Sequence, residues 1–272
     1  MTIRSLLNMT TGIPNYSETV EIGQIVAADL NHQFTPSELI GAVDPNNGKH
    51  LPPNSGWFYS NTNYILASLI IEAASGMSYK DALETMILKP FRLRQTYYSD
   101  GPYPQSVVER EPRGLYENQA CLLYQPTPCS VATLAPAARQ NMRTQNLSRA
   151  AAAGAIVSAP HELARWGASF GIHVFPRKEL EEMTSAISER TRRPIPDASA
   201  DDPSGFGLHI GRRYAPGGTF WFYQGTTLGF RAIFVYWPQY DLVITAATNS
   251  QPPDGEDRFG KLVLGATFAT PE

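Results

Sequence analysis

The segment Gly56–Gly76, GWFYSNTNYILASLIIEAASG, decides how the fold of this chain is interpreted. An apolar run with helical spacing begins near Asn63 and stops at the glycine that closes the segment, a residue that commonly ends helices. Immediately before this run stand the phenol, hydroxyl and amide of Tyr59, Ser60 and Asn61. The pattern predicts a buried helix with three polar groups of different chemistry at its N-terminus.

The composition is that of a globular protein. The chain has 272 residues, of which 42% are hydrophobic and 17% charged, enough for one large domain or two small ones. The net charge of -3 argues against a nucleic-acid partner, which would require a basic face. No apolar run reaches membrane-spanning length. The histidines and cysteines lack metal-ligand spacing, so we expect neither a metal nor another cofactor.

The only two cysteines, Cys121 and Cys129, lie in the segment CLLYQPTPC. They would close a small disulfide loop if the chain is exported, and they would be two unpaired thiols otherwise. The sequence leaves both alternatives open.

Residues 1 to about 195 are expected to be mainly helices and loops. Thr2 is the expected N-cap of a helix over residues 3–8, and Thr35 begins a capping box that Glu38 completes. The other expected features are a cap at Ser78 with a stop at Pro90, a cap at Ser158 with a stop at Gly171, and inward-facing Tyr64, Ile65, Leu69, Ile70, Ala73, Ala82, Leu83, Met86 and Ile87.

Residues from about 204 to 272 change to the period of strands. GFGLHIGRRY, GTFWFYQG, GFRAIFVYWP and DLVITAATNS are β-branched and aromatic runs separated by turn residues, which predicts four antiparallel strands. A last helix is expected from about Asp254 to Thr267. The chain therefore has the pattern of one α+β domain over residues 1–272, in which helices flank an antiparallel sheet.

Two short motifs carry candidate chemistry, although each alone is more often a packing or turn feature. The first is Tyr59-Ser60-Asn61. The second is YQGTTLG at residues 223–229, a glycine-rich strand edge that would let a substrate approach backbone N–H groups. A third motif, GASFG around Ser169, matches the G-x-S-x-G elbow of α/β-hydrolases. We reject it because that elbow follows a strand, whereas Ser169 lies late in an expected helix.

Taken together, four segments resemble the serine β-lactamase and penicillin-binding-protein superfamily, in the branch of class C β-lactamases, D-alanyl-D-alanine carboxypeptidases and related esterases. TIRSLLNMTTGIPNY, FYSNTNYILASLIIEAASGMSY, AAAAGAIVSAPHELARW and YQGTTLGF follow one another in the order of that branch, and residues 100–145 match poorly. The resemblance implies a β-lactamase/transpeptidase-like fold. It also implies hydrolysis of a small-molecule or peptide substrate through an acyl-enzyme.

The resemblance assigns roles to particular residues. Tyr59 would transfer the proton and Asn61 would bind the amide side of the substrate, with Ser60 beside it. Tyr223 stands at the Lys or His of the family's Lys/His-x-Gly motif, followed by Gln224, Gly225 and Thr226 as the substrate-binding edge. The N–H of Thr226 would supply half of an oxyanion hole.

Two departures from the family pattern limit these implications. None of the five lysines has a serine three residues before it, so the family's Ser-x-x-Lys motif is absent from the 272 residues. This predicts a chain without its first helix and strands, inactive alone, derived from a periplasmic or secreted enzyme. The alternative is a non-catalytic, ligand-binding descendant. In addition, Tyr223 brings no positive charge, which favours an esterase or amidase unless Arg212 and Arg213 compensate.

Overall fold

The computed structural model describes residues 1–43, 52–116, 141–171 and 175–251, together with residues 263 and 265. The predicted cysteine loop and all but two residues of the predicted last helix lie outside these ranges; residues 263 and 265 are helical. Among the described residues, no helix has the length and hydropathy to cross a bilayer.

The helices that the structure describes in full are short and lie before residue 184. They are α1 (Ile3–Leu7), α2 (Val20–Ala28), α3 (Pro36–Gly41), α4 (Thr62–Ser75), α5 (Tyr79–Leu83), α6 (Gln105–Val108), α7 (Pro160–Ala168) and α8 (Arg177–Met183). Side-chain caps by Thr2, Thr35 and Ser78 are confirmed, and Gly76 ends α4 in the left-handed conformation with φ of 69°.

Within the described ranges, the strands form one large antiparallel sheet and two small pairs. They are β1 (Thr96–Tyr97), β2 (Leu115–Tyr116), β3 (Val157–Ser158), β4 (Ala186–Ser188), β5 (Pro194–Ile195), β6 (Ser204–Phe206), β7 (Gly211–Ala215), β8 (Gly218–Thr227), β9 (Phe230–Trp237), β10 (Leu242–Thr248) and β11 (Ser250–Gln251). The large sheet has the order β10-β9-β8-β7-β6-β4-β5, while β1 pairs with β3 and β2 with β11. The predicted α+β class with an antiparallel sheet is confirmed.

Both faces of the large sheet are covered, as the alternation along its strands requires. On one face, Trp221, Phe234 and Tyr236 pack with Phe170 and with residues of α7 and α8. On the other face lie Phe220, Ile233, Val235 and Trp237, with Val263 against them. A third cluster joins the helical part to the β8–β9 turn and consists of Tyr16, Ile22, Val26, Phe34, Leu39, Ile65, Tyr116, Met142 and Leu228.

Several details of the helix prediction were wrong. Leu69 and Ile70 are 36% and 37% exposed, and Ala73 is exposed too, because the described residues pack on only one face of α4. Met86 is 53% exposed, since a π-helical turn over Glu84–Leu88 shifts the buried position to Leu88.

The predicted cap at Ser158 was also wrong. Ser158 lies in β3, where its hydroxyl meets that of Thr96 at 2.7 Å, and Ala159 is the residue that precedes α7. The helix stops at Ala168, before the predicted stop at Gly171.

The strand prediction missed β4 and β5 and merged two strands into one. The run GFGLHIGRRY is a hairpin made of β6 and β7. A tight turn separates them, because the Gly207 N–H donates to the Ile210 carbonyl at 2.8 Å and His209 adopts φ of 65°.

Candidate active site

The two predicted motifs meet where the helical part contacts the sheet. Met9, Tyr64 and Phe206 form a small buried cluster there, and Tyr59 and Tyr223 pack against it. Tyr59 precedes α4, whereas Tyr223 lies in β8. Residues 164 positions apart therefore come together at a junction between two structural layers.

Three side chains form a hydrogen-bonded chain at this junction. The hydroxyl of Tyr59 lies 3.1 Å from the hydroxyl of Tyr223 and donates to Asn61 Oδ1 at 3.0 Å. Asn61 Nδ2 in turn donates to Ser17 Oγ at 3.0 Å. The structure thus brings together the three residues that the sequence nominated as catalytic, and their roles stay predictions.

The chain before α2 holds the Tyr59–Asn61 segment in place. The N–H of Asn61 donates to Asn15 Oδ1 at 3.1 Å. The hydroxyls of Ser60 and Thr62 both donate to the Pro14 carbonyl, at 3.1 and 2.7 Å. Ser60 is 0% exposed, so its side chain anchors the backbone and does not face the cleft where we had predicted substrate contact.

The other half of the junction is the free end of β8. Strand β7 pairs with β8 only as far as Phe222, whereas β9 pairs with it through Thr227. Gln224, Gly225 and Thr226 are exposed, and a Cβ on Gly225 would meet open space. The edge over residues 223–227 is therefore accessible on the side where β7 has ended, as backbone recognition of a substrate requires.

Sequence reasoning missed His209, which lies in the β6–β7 turn. Its ring stacks on that of Tyr223, with centroids 4.7 Å apart and planes at 19°, and meets Tyr64 edge-on at 4.1 Å. The backbone N–H of His209 donates to the Leu7 carbonyl at 3.0 Å, and this bond fixes the turn against α1. The ring reaches Tyr223 because His209 adopts a positive φ. A single sequence does not reveal this conformation at a histidine.

Both phenols of the junction are neutral at neutral pH. Burial raises the pKa of Tyr59, although its hydrogen bond with Tyr223 lowers it in part. Burial and the neighbouring phenols Tyr64 and Tyr59 raise the pKa of Tyr223 well above its usual value. Tyr59 therefore donates a hydrogen bond in this arrangement, and it needs an additional positive charge to act as a base near pH 7.

Arg212 and Arg213 do not supply that charge, which corrects their suggested compensating role. Arg212 forms a two-fold hydrogen bond with Asp197, at 2.6 and 2.8 Å, and lies 4.4 Å from the Trp221 ring centroid. Arg213 is paired with Glu189 at 2.7 and 3.2 Å. Both guanidinium groups are neutralised within the sheet and its flanking loops.

The helical position on which Ser169 was rejected as a nucleophile is borne out by the structure. Ser169 follows the last turn of α7, is 1% exposed, and donates its hydroxyl to the Trp166 carbonyl at 2.5 Å. It lies after a helix, whereas the elbow of α/β-hydrolases requires a strand before the serine.

The family of the chain follows from its similarity to known proteins. The Beta-lactamase family model matches residues 1–266, and the chain belongs to that family. Penicillin-binding protein 4* of Bacillus subtilis (strain 168) is 41% identical over 98 residues, which are 35% of this chain. The matched segment spans only 21% of that relative's length.

Solved structures agree on the fold. A D-stereospecific amidohydrolase from Streptomyces sp. superposes with a TM-score of 0.78 at 23% identity, covering 100% of this chain and 73% of the other. The D-amino acid amidase from Ochrobactrum anthropi SV3 complexed with L-phenylalanine gives 0.77 at 22% identity, covering 98% and 72%. The predicted superfamily and its β-lactamase/transpeptidase fold are confirmed.

Proposed function

We propose that this chain forms the proton-transfer and substrate-edge parts of a serine hydrolase that cleaves a small peptide, amide or ester through an acyl-enzyme. The observation that supports it best is the 3.1 Å contact between the hydroxyls of Tyr59 and Tyr223, with Asn61 on the Tyr59 hydroxyl. One tyrosine comes from the helical part and the other from the strand edge, so a substrate on that edge lies beside both.

In the proposed reaction, a serine attacks the substrate carbonyl and the leaving group takes a proton that passes through Tyr59. Asn61 positions the Tyr59 hydroxyl and the amide side of the substrate. The carbonyl oxygen accepts a hydrogen bond from the Thr226 N–H, and Gly225 keeps the edge clear. The names of the structural relatives favour an acyl group of D configuration.

The proposal needs a serine and a lysine from outside the 272 residues, because Ser-x-x-Lys is absent from them. The same absence favours one alternative, a non-catalytic member that keeps the cleft for binding ligands. An exported, periplasmic or secreted location of the intact enzyme is part of the first proposal and not of the second.

The DNA immediately upstream of the Met1 codon discriminates between the two functions. An in-frame Ser-x-x-Lys preceded by a secretory signal would support the hydrolase. The enzyme that includes it is then expected to form a covalent adduct on that serine with a D-alanyl ester. A stop codon or unrelated sequence upstream would contradict the hydrolase and favour ligand binding.

A substitution at the strand edge tests the cleft itself. Gly225→Val fills open space, so we expect an unchanged melting temperature and a loss of ligand binding of at least about tenfold. Gly211→Ala is the contrasting control, because its Cβ would lie 2.4 Å from the Phe222 ring and should destabilise the sheet. Undiminished binding by the Gly225 variant would place the ligand elsewhere.

A further inference from the structure

A cavity that no part of the proposed reaction uses lies between the large sheet and α8. Its volume is about 190 Å³, and it is half open to solvent. The lining residues are Phe170, Leu180, Thr184, Trp221, Tyr236 and Pro238. Three of these six described side chains are aromatic and none is charged, so the cavity offers a guest mainly ring and hydrocarbon surface.

The sheet side of the cavity is formed by two rings that are held in place. Trp221 and Tyr236 are direct partners across β8 and β9. The guanidinium of Arg212 lies 4.4 Å from the Trp221 ring centroid and fixes that indole from the neighbouring strand. Tyr236 reaches Gly171, where a Cβ would overlap the phenol hydroxyl. Close packing therefore sets the position of both rings before any ligand arrives.

The helical side of the cavity is equally well defined. Leu180 and Thr184 lie four residues apart at the C-terminal end of α8, so they project to the same side of the helix. Phe170 follows α7 and stacks on Phe234, with ring centroids 6.0 Å apart and planes at 28°. The hydroxyl of Thr184 donates to the Leu180 carbonyl at 2.7 Å, so its proton is not available to a guest.

The chemistry of this lining decides which guest fits. The cavity has room for several water molecules, each of which needs about two to four polar partners to be well held. The six side chains carry three polar groups, on Thr184, Trp221 and Tyr236, so water is held weakly and a ligand that displaces it is favoured. A charged ligand is disfavoured, because the lining provides no opposite charge.

We propose that this cavity is a second ligand site, which binds a small, neutral aromatic molecule up to the size of indole against Trp221 and Phe170. An apolar cavity of about 150 Å³ accommodates benzene, and aromatic walls favour a ring over a chain through edge-to-face and offset contacts. The site is separate from the substrate edge, because Trp221 and Thr226 are five residues, about 17 Å, apart on β8, with Tyr223 between them. The assignment does not depend on the proposed hydrolase.

The test titrates the 272-residue chain with indole, followed by NMR. We expect a Kd of about 0.1–1 mM, with nuclear Overhauser effects from indole to the Leu180 methyl groups and to the Trp221 ring. Leu180→Phe places a ring in the cavity and should raise the Kd at least about tenfold. The matched control Lys178→Phe adds the same ring at an exposed position of α8 and should leave the Kd within about twofold.

Three results would overturn the assignment. The first is no binding of indole up to about 5 mM, and the second is a Kd that Leu180→Phe leaves unchanged. The third is indole binding that Gly225→Val abolishes, with Overhauser effects to Tyr59, because the ligand would then lie in the cleft. If Leu180→Phe fails to fold, Thr184→Leu decides: it also adds volume to the cavity, and an unchanged Kd in that variant would equally overturn the site.

Discussion

Glu162 is expected to hold the first turn of α7 to the chain around β1. Its carboxylate is 3% exposed and accepts hydrogen bonds from the Arg94 N–H at 2.7 Å, the Gln95 N–H at 2.8 Å and Thr96 Oγ1 at 2.7 Å. In Glu162→Gln one carboxylate oxygen becomes an NH₂ group, which faces a donor and cannot accept. One backbone N–H that faces this buried carboxylate loses its acceptor, and the other bonds lose their charge assistance.

The expected cost follows from these bonds. A buried donor left without an acceptor costs about 1–3 kcal/mol, and the loss of charge assistance adds about 1 kcal/mol. We therefore expect the free energy of unfolding to fall by about 2–4 kcal/mol in Glu162→Gln. Urea unfolding at pH 7, followed by tryptophan fluorescence, measures this difference.

The sign of the pH dependence gives a second check. Burial opposes ionisation of Glu162, but the bonds from Thr96, Gln95 and Arg94 outweigh it and hold the pKa of Glu162 below its usual range. A lowered folded-state pKa contributes stability above the unfolded value and loses it as pH falls through the folded value. The difference between wild type and variant should therefore be full above about pH 5 and shrink below it.

Glu179→Gln is the matched control, because Glu179 occupies the same third position in α8 but is exposed. We expect a change of less than about 1 kcal/mol there. Equal destabilisation by the two substitutions, or a Glu162 effect that does not decrease in acid, would refute this account of the carboxylate.

The remaining predictions concern the charges around the site. Tyr223→Lys should lower the pKa of Tyr59 because it places a positive charge beside the phenol, whereas Tyr223→Phe should raise that pKa because it removes a hydrogen bond. The ring ¹³C chemical shifts of Tyr59, followed against pH, measure both pKa values. A change of the pKa in the same direction in the two variants would contradict this. Asp197→Asn should lower the free energy of unfolding by about 1–3 kcal/mol, measured by thermal unfolding, because it removes the charged partner of Arg212. Arg212 is 7% exposed and would be left without that partner, whereas the Asp197 side chain is 45% exposed. An unchanged melting temperature would show that Arg212 finds water instead.

Local signals in the sequence predicted much of the fold. Caps at Thr2, Thr35 and Ser78 are decided within one turn of chain, and so is the glycine that ends α4. The misplaced cap at Ser158 shows the limit of such signals. Its hydroxyl bonds to Thr96, 62 residues away, and no local rule identifies that partner.

The candidate site divides in the same way. Tyr59, Asn61 and the 223–226 edge were nominated from motifs, and the structure brings the two motifs into contact. His209 was not nominated, because only a positive φ brings its ring onto Tyr223. Ser60 was nominated only because it lies between Tyr59 and Asn61, and its side chain is buried away from the cleft.

The distribution of charge explains why the proposed hydrolase requires its nucleophile and its cation together. Tyr59 and Tyr223 are neutral phenols held by burial, and the arginines on β7 are neutralised by Asp197 and Glu189. A serine brought to this cleft without a cation would meet a tyrosine that donates a proton but cannot accept one at neutral pH. The lysine of a Ser-x-x-Lys motif lies one helical turn from its serine, so a single segment would supply both the attacking oxygen and the charge that activates Tyr59.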